Sequence, residues 1–242
     1  MSKNYGILIT GYLRSFEKNF KYIKKLFKNF DLFVYTIDTQ EHYEIAKRLG
    51  IKNLELVKDS DINMGDFTLY NKLFKNSLAV NIDTKIKRDN TGWLKQLLDY
   101  KHGINYLSNT TKREHDFIVR YRPDLKPVRI NKINFKEDKF NCFQQNLYKH
   151  QINDKFFLSN KNIMTKFMIN IFDALKDKNI TKYKNEIFNV EQFLYSFLAK
   201  ENIKINWISK KELKFKKVTQ NKTLSAGFDE YPSGSIRNAI YD

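Results

Sequence analysis

Read only for where apolar and polar residues fall, the chain opens on an unbroken apolar run, Tyr5-Gly6-Ile7-Leu8-Ile9-Thr10, the pattern of a buried strand. After Gly11 to Arg14 the period changes. Ser15 stands where an N-cap belongs, with Lys18 in place of the Glu of a capping box. Phe16, Phe20, Ile23, Phe27 and Phe30 then recur at helical spacing with lysines between them, which predicts an amphipathic helix whose phenylalanines face a core. Asp31 to Ile37 reads as a second strand ending at Asp38. A short helix through Glu44 and Leu49 stops at Gly50, a typical C′ residue, and Leu54 to Val57 makes a third strand. Strand, helix, strand, helix, strand at these lengths predicts parallel pairing through right-handed crossovers.

Beyond residue 58 the pattern weakens, with a helix expected within Leu69 to Val80. Trp93, Leu94, Leu97, Leu98, His102 and Leu107 fit a helix of about five turns. Asp116 to Tyr121 reads as a strand closed by Arg122-Pro123-Asp124. Residues 126 to 150 suggest short strands and loops, and Asp154 to Ser159 a further strand. Met164 to Leu175 and Val190 to Ala199 read as helices, Ile203 to Trp207 as a late strand, and the tail from Lys210 is basic and then turn-rich. With no internal repeat and no clear linker, a single domain over residues 1–242 is expected.

Composition mainly excludes. At 242 residues, 41% hydrophobic and with 20 Phe and 14 Tyr, the chain can bury a sizeable core, while 8 Gly and 3 Pro rule out a low-complexity class. Cys142 is the one cysteine, so neither an intramolecular disulfide nor a cysteine zinc site can form. No apolar run is long enough for a signal-peptide core or a membrane span. A cytoplasmic setting is the expectation, with peripheral attachment of the basic surface to a membrane left open. Lys and Arg number 44 against 27 Asp and Glu, a net charge of +17 that suits an anionic partner. Yet the lysines are spread along the chain and no nucleic-acid-binding motif occurs, so nucleic acid is not the expected partner. No Gly-x-Gly-x-x-Gly follows the first strand, no Walker-type loop appears, and the histidines lack a nucleophile motif such as Gly-x-Ser-x-Gly.

In open α/β sheets ligands bind beyond the carboxyl ends of the strands. Three predicted strands end in polar groups that would share one rim: Gly11 to Arg14, Asp38, and Arg122-Pro123-Asp124. Gly11 permits close approach of a ligand, and the planar fork of Arg14 suits a phosphate or carboxylate. Asp38 can accept from ribose hydroxyls or a base edge, and Asp124 can bind a hard divalent cation. Plainer roles exist: Arg14 as an exposed charge, Asp38 as the cap of the following helix. Arg120, Tyr121 and Arg122 alternate along the strand, so at least one arginine points inward and needs a partner, with Asp124 and Asp116 at hand. Pro123 stops the strand and holds Arg122 extended.

Gly11-Tyr12-Leu13-Arg14-Ser15-Phe16 resembles the "G-x-x-R-[ST]-[FY]" element of a group of small glycosyltransferases common in viral and bacterial polysaccharide loci. Asp31 to Asp38 resembles their second strand, Tyr121-Arg122-Pro123-Asp124-Leu125 their "R-x-R-P-D-[LI]" signature, and Asn153 to Ser159 their "x-D-x-F-x-[IL]-[GS]" segment. Glu191, Leu194 and Leu198 match their late "E-x-x-L-x-x-[YF]-L" helix, and the matches run in order from about residue 5 to 207. The resemblance implies an α/β, GT-A-like fold: a mostly parallel sheet with helices on both faces. It implies a nucleotide-binding half to about residue 125, and an acceptor-side half with a basic tail after it. The implied activity is transfer of a sugar from a nucleotide-diphosphate sugar to a glycan or lipid-linked hydroxyl acceptor. Gly11, Arg14, Asp38, Arg120 and Arg122 would bind the donor, and Asp124 would hold Mn²⁺ or Mg²⁺. Asp154 and Glu191 are the candidate catalytic bases. Arg122 occupies the place of the first carboxylate in the usual Asp-x-Asp motif, so metal use does not follow from the resemblance. The rival readings are a basic nucleic-acid-binding protein, another nucleotide-dependent transferase, and an inactive glycan binder.

Overall fold

The computed structural model describes residues 3–61, 91–131, 133–144, 151–183, 190–209 and 211–217. The helix expected within Leu69 to Val80, and the chain beyond Lys217, lie outside them. The opening reads as expected: strand β1 (Asn4–Thr10), helix α1 (Phe16–Leu26), strand β2 (Asn29–Ile37), helix α2 (Gln40–Arg48) and strand β3 (Asn53–Val57). Two details differ. Helix α1 stops where Phe27 turns extended, and Phe30 belongs to β2. Both rings still reach one core, so the helical spacing outlives the helix itself. Thr39, not Asp38, caps α2, its hydroxyl accepting from the His42 N–H at 3.2 Å. Gly50 takes φ +64°, the left-handed C′ residue that ends α2.

Helix α3 (Thr91–Thr110) is the expected five-turn helix. Strands β4 (Phe117–Tyr121), β5 (Leu125–Ile130), β6 (Phe140–Gln144) and β7 (Ile152–Ser159) follow, then helices α4 (Lys161–Asp173), α5 (Asp177–Ile180) and α6 (Val190–Lys200). Strands β8 (Ile205–Trp207) and β9 (Leu213–Lys217) complete the described chain; β9 falls in a stretch whose sequence reads only as basic tail.

Seven strands form one sheet in the order β3-β2-β1-β4-β7-β6-β8. Pairing is parallel from β3 to β4 and from β6 to β8, with β7 antiparallel to both its neighbours. The fold is thus α/β with a mostly parallel central sheet. Strands from both sides of residue 125 contribute to it. A core on one face packs α3, α4 and α6 against Leu8, Phe33, Ile118 and Phe157. A second core, on the other face, packs α1, α2, β5 and β9 against Ile7, Ile9, Val34, Val119 and Leu158. Burial of both faces explains why β1 and β4 are continuously apolar in sequence. Because β7 runs backwards, its first residues lie beside the last residues of β4, with Tyr121 opposite Phe156. That reversal brings Asp154 to the rim where β1, β2 and β4 end.

Candidate functional site

At the β1–β2 end of the rim, Gly11 takes φ +91°, a conformation that side chains resist. It lets the chain turn sharply out of β1 toward Tyr12, half exposed, and exposed Arg14. The turn is tied down from β2. The Thr36 hydroxyl donates to the Gly11 carbonyl at 2.9 Å. His42 Nδ1 lies 2.9 Å from the Ile37 carbonyl, which can only accept, so Nδ1 carries the proton. Its Nε2 is left to accept the Leu13 N–H at 3.4 Å. His42 itself is buried. Arg14 lies over the Tyr12 ring, 4.9 Å from its centroid, and the Tyr12 ring meets His42 edge-on. Asp38 is exposed and continues the strand through its N–H, which donates to the Val57 carbonyl at 2.8 Å.

At the β4–β7 end the groups are charged and half-buried. Arg122 meets Asp124 with a two-pronged ion pair, Nε to Oδ1 at 2.8 Å and Nη2 to Oδ2 at 2.7 Å. Its third nitrogen, Nη1, lies 3.9 Å from Asp154 Oδ2. Burial opposes the Arg122 charge, but the hydrogen-bonded Asp124 carboxylate, with Asp154 and Tyr100 adding, raises its pKa above the ordinary value. The turn is fixed from three directions. Arg122 N–H donates to the Lys155 carbonyl at 3.1 Å, Leu125 N–H to the Arg122 carbonyl at 3.1 Å, and Asn19 Nδ2 to the Pro123 carbonyl at 3.1 Å.

Asp154 is oriented by α3. Gln96 Nε2 donates to its Oδ2 at 3.1 Å, and the Tyr100 hydroxyl donates to its backbone carbonyl at 3.2 Å. Asp154 Oδ1 accepts no hydrogen bond among the described residues. Glu191, in the first turn of α6, has its carboxyl pushed up by burial and by the nearby Asp154 charge, with Lys155 pulling the other way.

Arg120 is the inward-pointing arginine, 1% exposed. Its Nη1 donates to the Lys155 carbonyl at 2.7 Å, its guanidinium lies 5.0 Å over the Tyr100 ring, and Nε has no protein partner. Neither Asp124 nor Asp116 is its partner: Asp124 pairs with Arg122, and Asp116 accepts the Asn4 N–H at 2.7 Å. On α3, burial pushes the Asp99 carboxyl up to about 7, against the pull of Lys95 and Arg120.

The rim therefore gathers Gly11, Arg14, Asp38, Arg122, Asp124 and Asp154, with Arg120 sealed behind it. His42, Gln96 and Tyr100 support it without any local motif to announce them. Gln96 and Tyr100 differ by four residues on α3, which places them on one helical face, but nothing in that spacing names Asp154 as their target. A divalent cation at Asp124 would have to take one or both oxygens from Arg122. Among the described residues no three His, Cys, Asp or Glu side chains converge as a cation site. As arranged, the described residues around Asp124 do not by themselves fit a metal.

The sequence matches no protein-family profile and no curated protein. Among solved structures it is similar to the glycosyltransferase GlyE of Streptococcus pneumoniae TIGR4, with a TM-score of 0.41 and 12% identity over 83% of this chain and 43% of that one. It is also similar to apo mouse xyloside xylosyltransferase 1, with a TM-score of 0.47 and 7% identity over 84% of each chain. Both are glycosyltransferases; the chain spans less than half the length of the first.

Proposed function

We propose that the protein transfers a sugar from a nucleotide-diphosphate sugar to a hydroxyl acceptor. The observation that carries this reading is a preorganised cation fixed among carboxylates at one rim. Arg122 is held by Asp124, beside Asp154, with Glu191 electrostatically coupled to Asp154. The ordered sequence motifs give the same reading. The exposed groups of the first two strand ends, Arg14 and Asp38, bind the nucleotide part of the donor.

Glycosyl transfer breaks the bond from the anomeric carbon to the diphosphate, and negative charge develops on the departing oxygen. A guanidinium already fixed in place stabilises that charge without reorganising. Arg122 takes this role, and Arg120 adds a fixed positive field from behind. In an inverting displacement the acceptor oxygen attacks from the side of the sugar opposite the diphosphate. Its proton must pass to a base on that far side. Of the two candidate carboxylates, Asp154 lies 3.9 Å from Arg122. Glu191, which forms no ion pair with Arg122 among the described residues, is assigned the proton as the new carbon–oxygen bond forms. Burial and the Asp154 charge raise its pKa above the ordinary Glu value, which makes its carboxylate a better proton acceptor. The nucleoside diphosphate leaves with the bonding electron pair. No step uses a metal.

The test is to incubate the purified protein with a panel of nucleotide sugars and separate the products. Release of a nucleoside diphosphate, accelerated by a glycan acceptor, is expected. Release of pyrophosphate would instead assign a nucleotidyl transfer and end this reading.

A further inference from the structure

Helix α1 buries Phe16, Asn19 and Ile23 against the sheet and turns a dense basic face outward. Lys18, Lys21, Lys24, Lys25 and Lys28 are all exposed, and the one acid on the helix, Glu17, is bound to Arg48. The same side of the molecule carries β5 and β9, whose Leu125 and Leu213 join the same core as Phe16 and Ile23. Their outer residues include Lys126, Arg129 and Lys214, and neither strand has an acidic residue. Lys126 is continuous with the helix, its ammonium 5.3 Å from the Tyr22 ring centroid.

On other parts of the surface several lysines meet carboxylates: Lys3 with Glu137, Lys95 with Asp59, Lys101 with Asp173, Lys166 with Glu201. Among the described residues none of the α1 lysines forms an ion pair; several lie on rings instead, Lys24 over Phe20 and both Lys21 and Lys25 over Tyr22. Between the cations β5 exposes two aliphatic residues, Val128 at 51% and Ile130 at 40%.

We propose that this face docks on an anionic membrane surface. Ammonium groups on flexible stems suit a plane of mobile lipid phosphates, and exposed aliphatic side chains suit its interface. A single-stranded nucleic acid would ask for open aromatic platforms. Tyr22 offers none, because its ring already carries Lys21, Lys25 and Lys126. The face adjoins the candidate site, since Asn19 of α1 holds the Pro123 carbonyl and β5 begins directly after Asp124. Docking would therefore set the rim close to a lipid-borne acceptor. The docking itself stands whether or not a sugar is transferred, and its test needs no donor.

The experiment is sedimentation of the full chain with vesicles of about 30% phosphatidylglycerol in phosphatidylcholine, against phosphatidylcholine alone, at low and high salt. Binding only to the anionic vesicles, released at high salt, is expected. Each cation near such a surface is worth about fivefold in affinity, so K21E/K24E/K25E should lose more than about a hundredfold. The milder K21Q/K24Q/K25Q should lose at least about tenfold and guards against a folding effect, which circular dichroism checks. The charge-matched control K112E/K161E/K204E changes exposed lysines away from this face and should lose less than about threefold. Equal losses in the α1 and control variants would reduce the effect to net charge and overturn the proposal. So would tighter, α1-dependent binding to a single-stranded oligonucleotide than to the anionic vesicles.

Discussion

On the β1–β2 side of the rim, Tyr12, Arg14 and Asp38 stand on a frame of uncharged hydrogen bonds from Thr36 and His42. On the β4–β7 side, Arg122, Asp124 and Asp154 hold one another by charge, half-buried, with buried Arg120 behind them. The first arrangement offers reach: exposed groups on a fixed turn can close on a ligand of variable shape. The second offers preorganisation: charges withdrawn from water act strongly and move little. Binding is thus assigned to one side and bond breaking to the other, and each variant below should affect one side far more than the other.

The largest effect belongs to Glu191→Gln. Removing a general base should lower kcat for transfer by about 10²- to 10⁴-fold, with donor binding and folding unchanged. The pH profile sharpens this. A base works only when deprotonated, so turnover should fall as pH drops through the Glu191 pKa. That pKa is raised by burial and by Asp154, so the acid limb should lie above the ordinary Glu range. Asp154→Asn removes the second cause and should move the limb to lower pH. A limb that stays put in Asp154→Asn would break the coupling between the two carboxylates.

Arg122→Ala comes next. It leaves Asp124 and Asp154 without their cation in a half-buried site, and should cost about 2 kcal/mol of stability, less than for a fully buried pair. Transfer should fall about 10²-fold or more through kcat, and Arg122→Lys should not restore it, because a lysine cannot make the two-pronged contact. Asp124→Asn keeps one acceptor for Arg122 and should retain far more activity than Arg122→Ala. If instead Asp124→Asn is as damaging as Arg122→Ala and EDTA silences the native protein, Asp124 serves a cation and the charged side of the rim has a different centre.

How much of this the sequence discloses depends on the range of the forces involved. Local periodicity was enough for β1, α2, β3, α3 and β4, because burial on both faces or along one stripe writes itself into adjacent residues. It misplaced the end of α1, since Phe27 and Phe30 serve one core from two different elements. It did not reveal that β7 is antiparallel or that β9 pairs with β5, for strand direction depends on residues far apart in the chain. The rim followed the same rule. Gly11, Arg14, Asp38 and the Arg120 to Asp124 run were visible as strand ends. The carboxylate expected for the inward arginine, Asp124 or Asp116, is not its partner: buried Arg120 has neither, and Asp124 pairs with Arg122 instead. His42 and Gln96 act across 29 and 58 residues of chain through folding alone, and no neighbouring residue marks them.

His42→Ala tests the uncharged side. It strands the Leu13 N–H and the Ile37 carbonyl, a cost of about 1–2 kcal/mol measurable as a lower denaturant midpoint. Loosening the turn that carries Tyr12 and Arg14 should raise KM for the donor several-fold and leave kcat nearly intact. A fall in kcat as large as that of Arg122→Ala would mean that the turn takes part in the chemistry, and the two sides would no longer divide binding from bond breaking.

The smallest effect is expected from Asp99→Asn, and its sign carries the information. The folded-state value of Asp99 is about 7, above the roughly 3.9 of an unfolded Asp. A carboxyl whose pKa is raised by folding favours the folded state at low pH and loses that contribution as pH rises toward 7. The asparagine variant has no such slope, so it should match or trail the native protein at pH 5 and exceed it at pH 8, by on the order of 1 kcal/mol. Urea midpoints at the two pH values, with unchanged m, measure this. The opposite sign at pH 8 is equally instructive. Arg120 makes no ion pair among the described residues, and an ionised Asp99 acts on it through space. If Asn costs stability at pH 8, the Asp99 charge is what permits a guanidinium to sit 1% exposed behind the rim. The charged side of the site would then extend one layer deeper than the pair that faces the ligand.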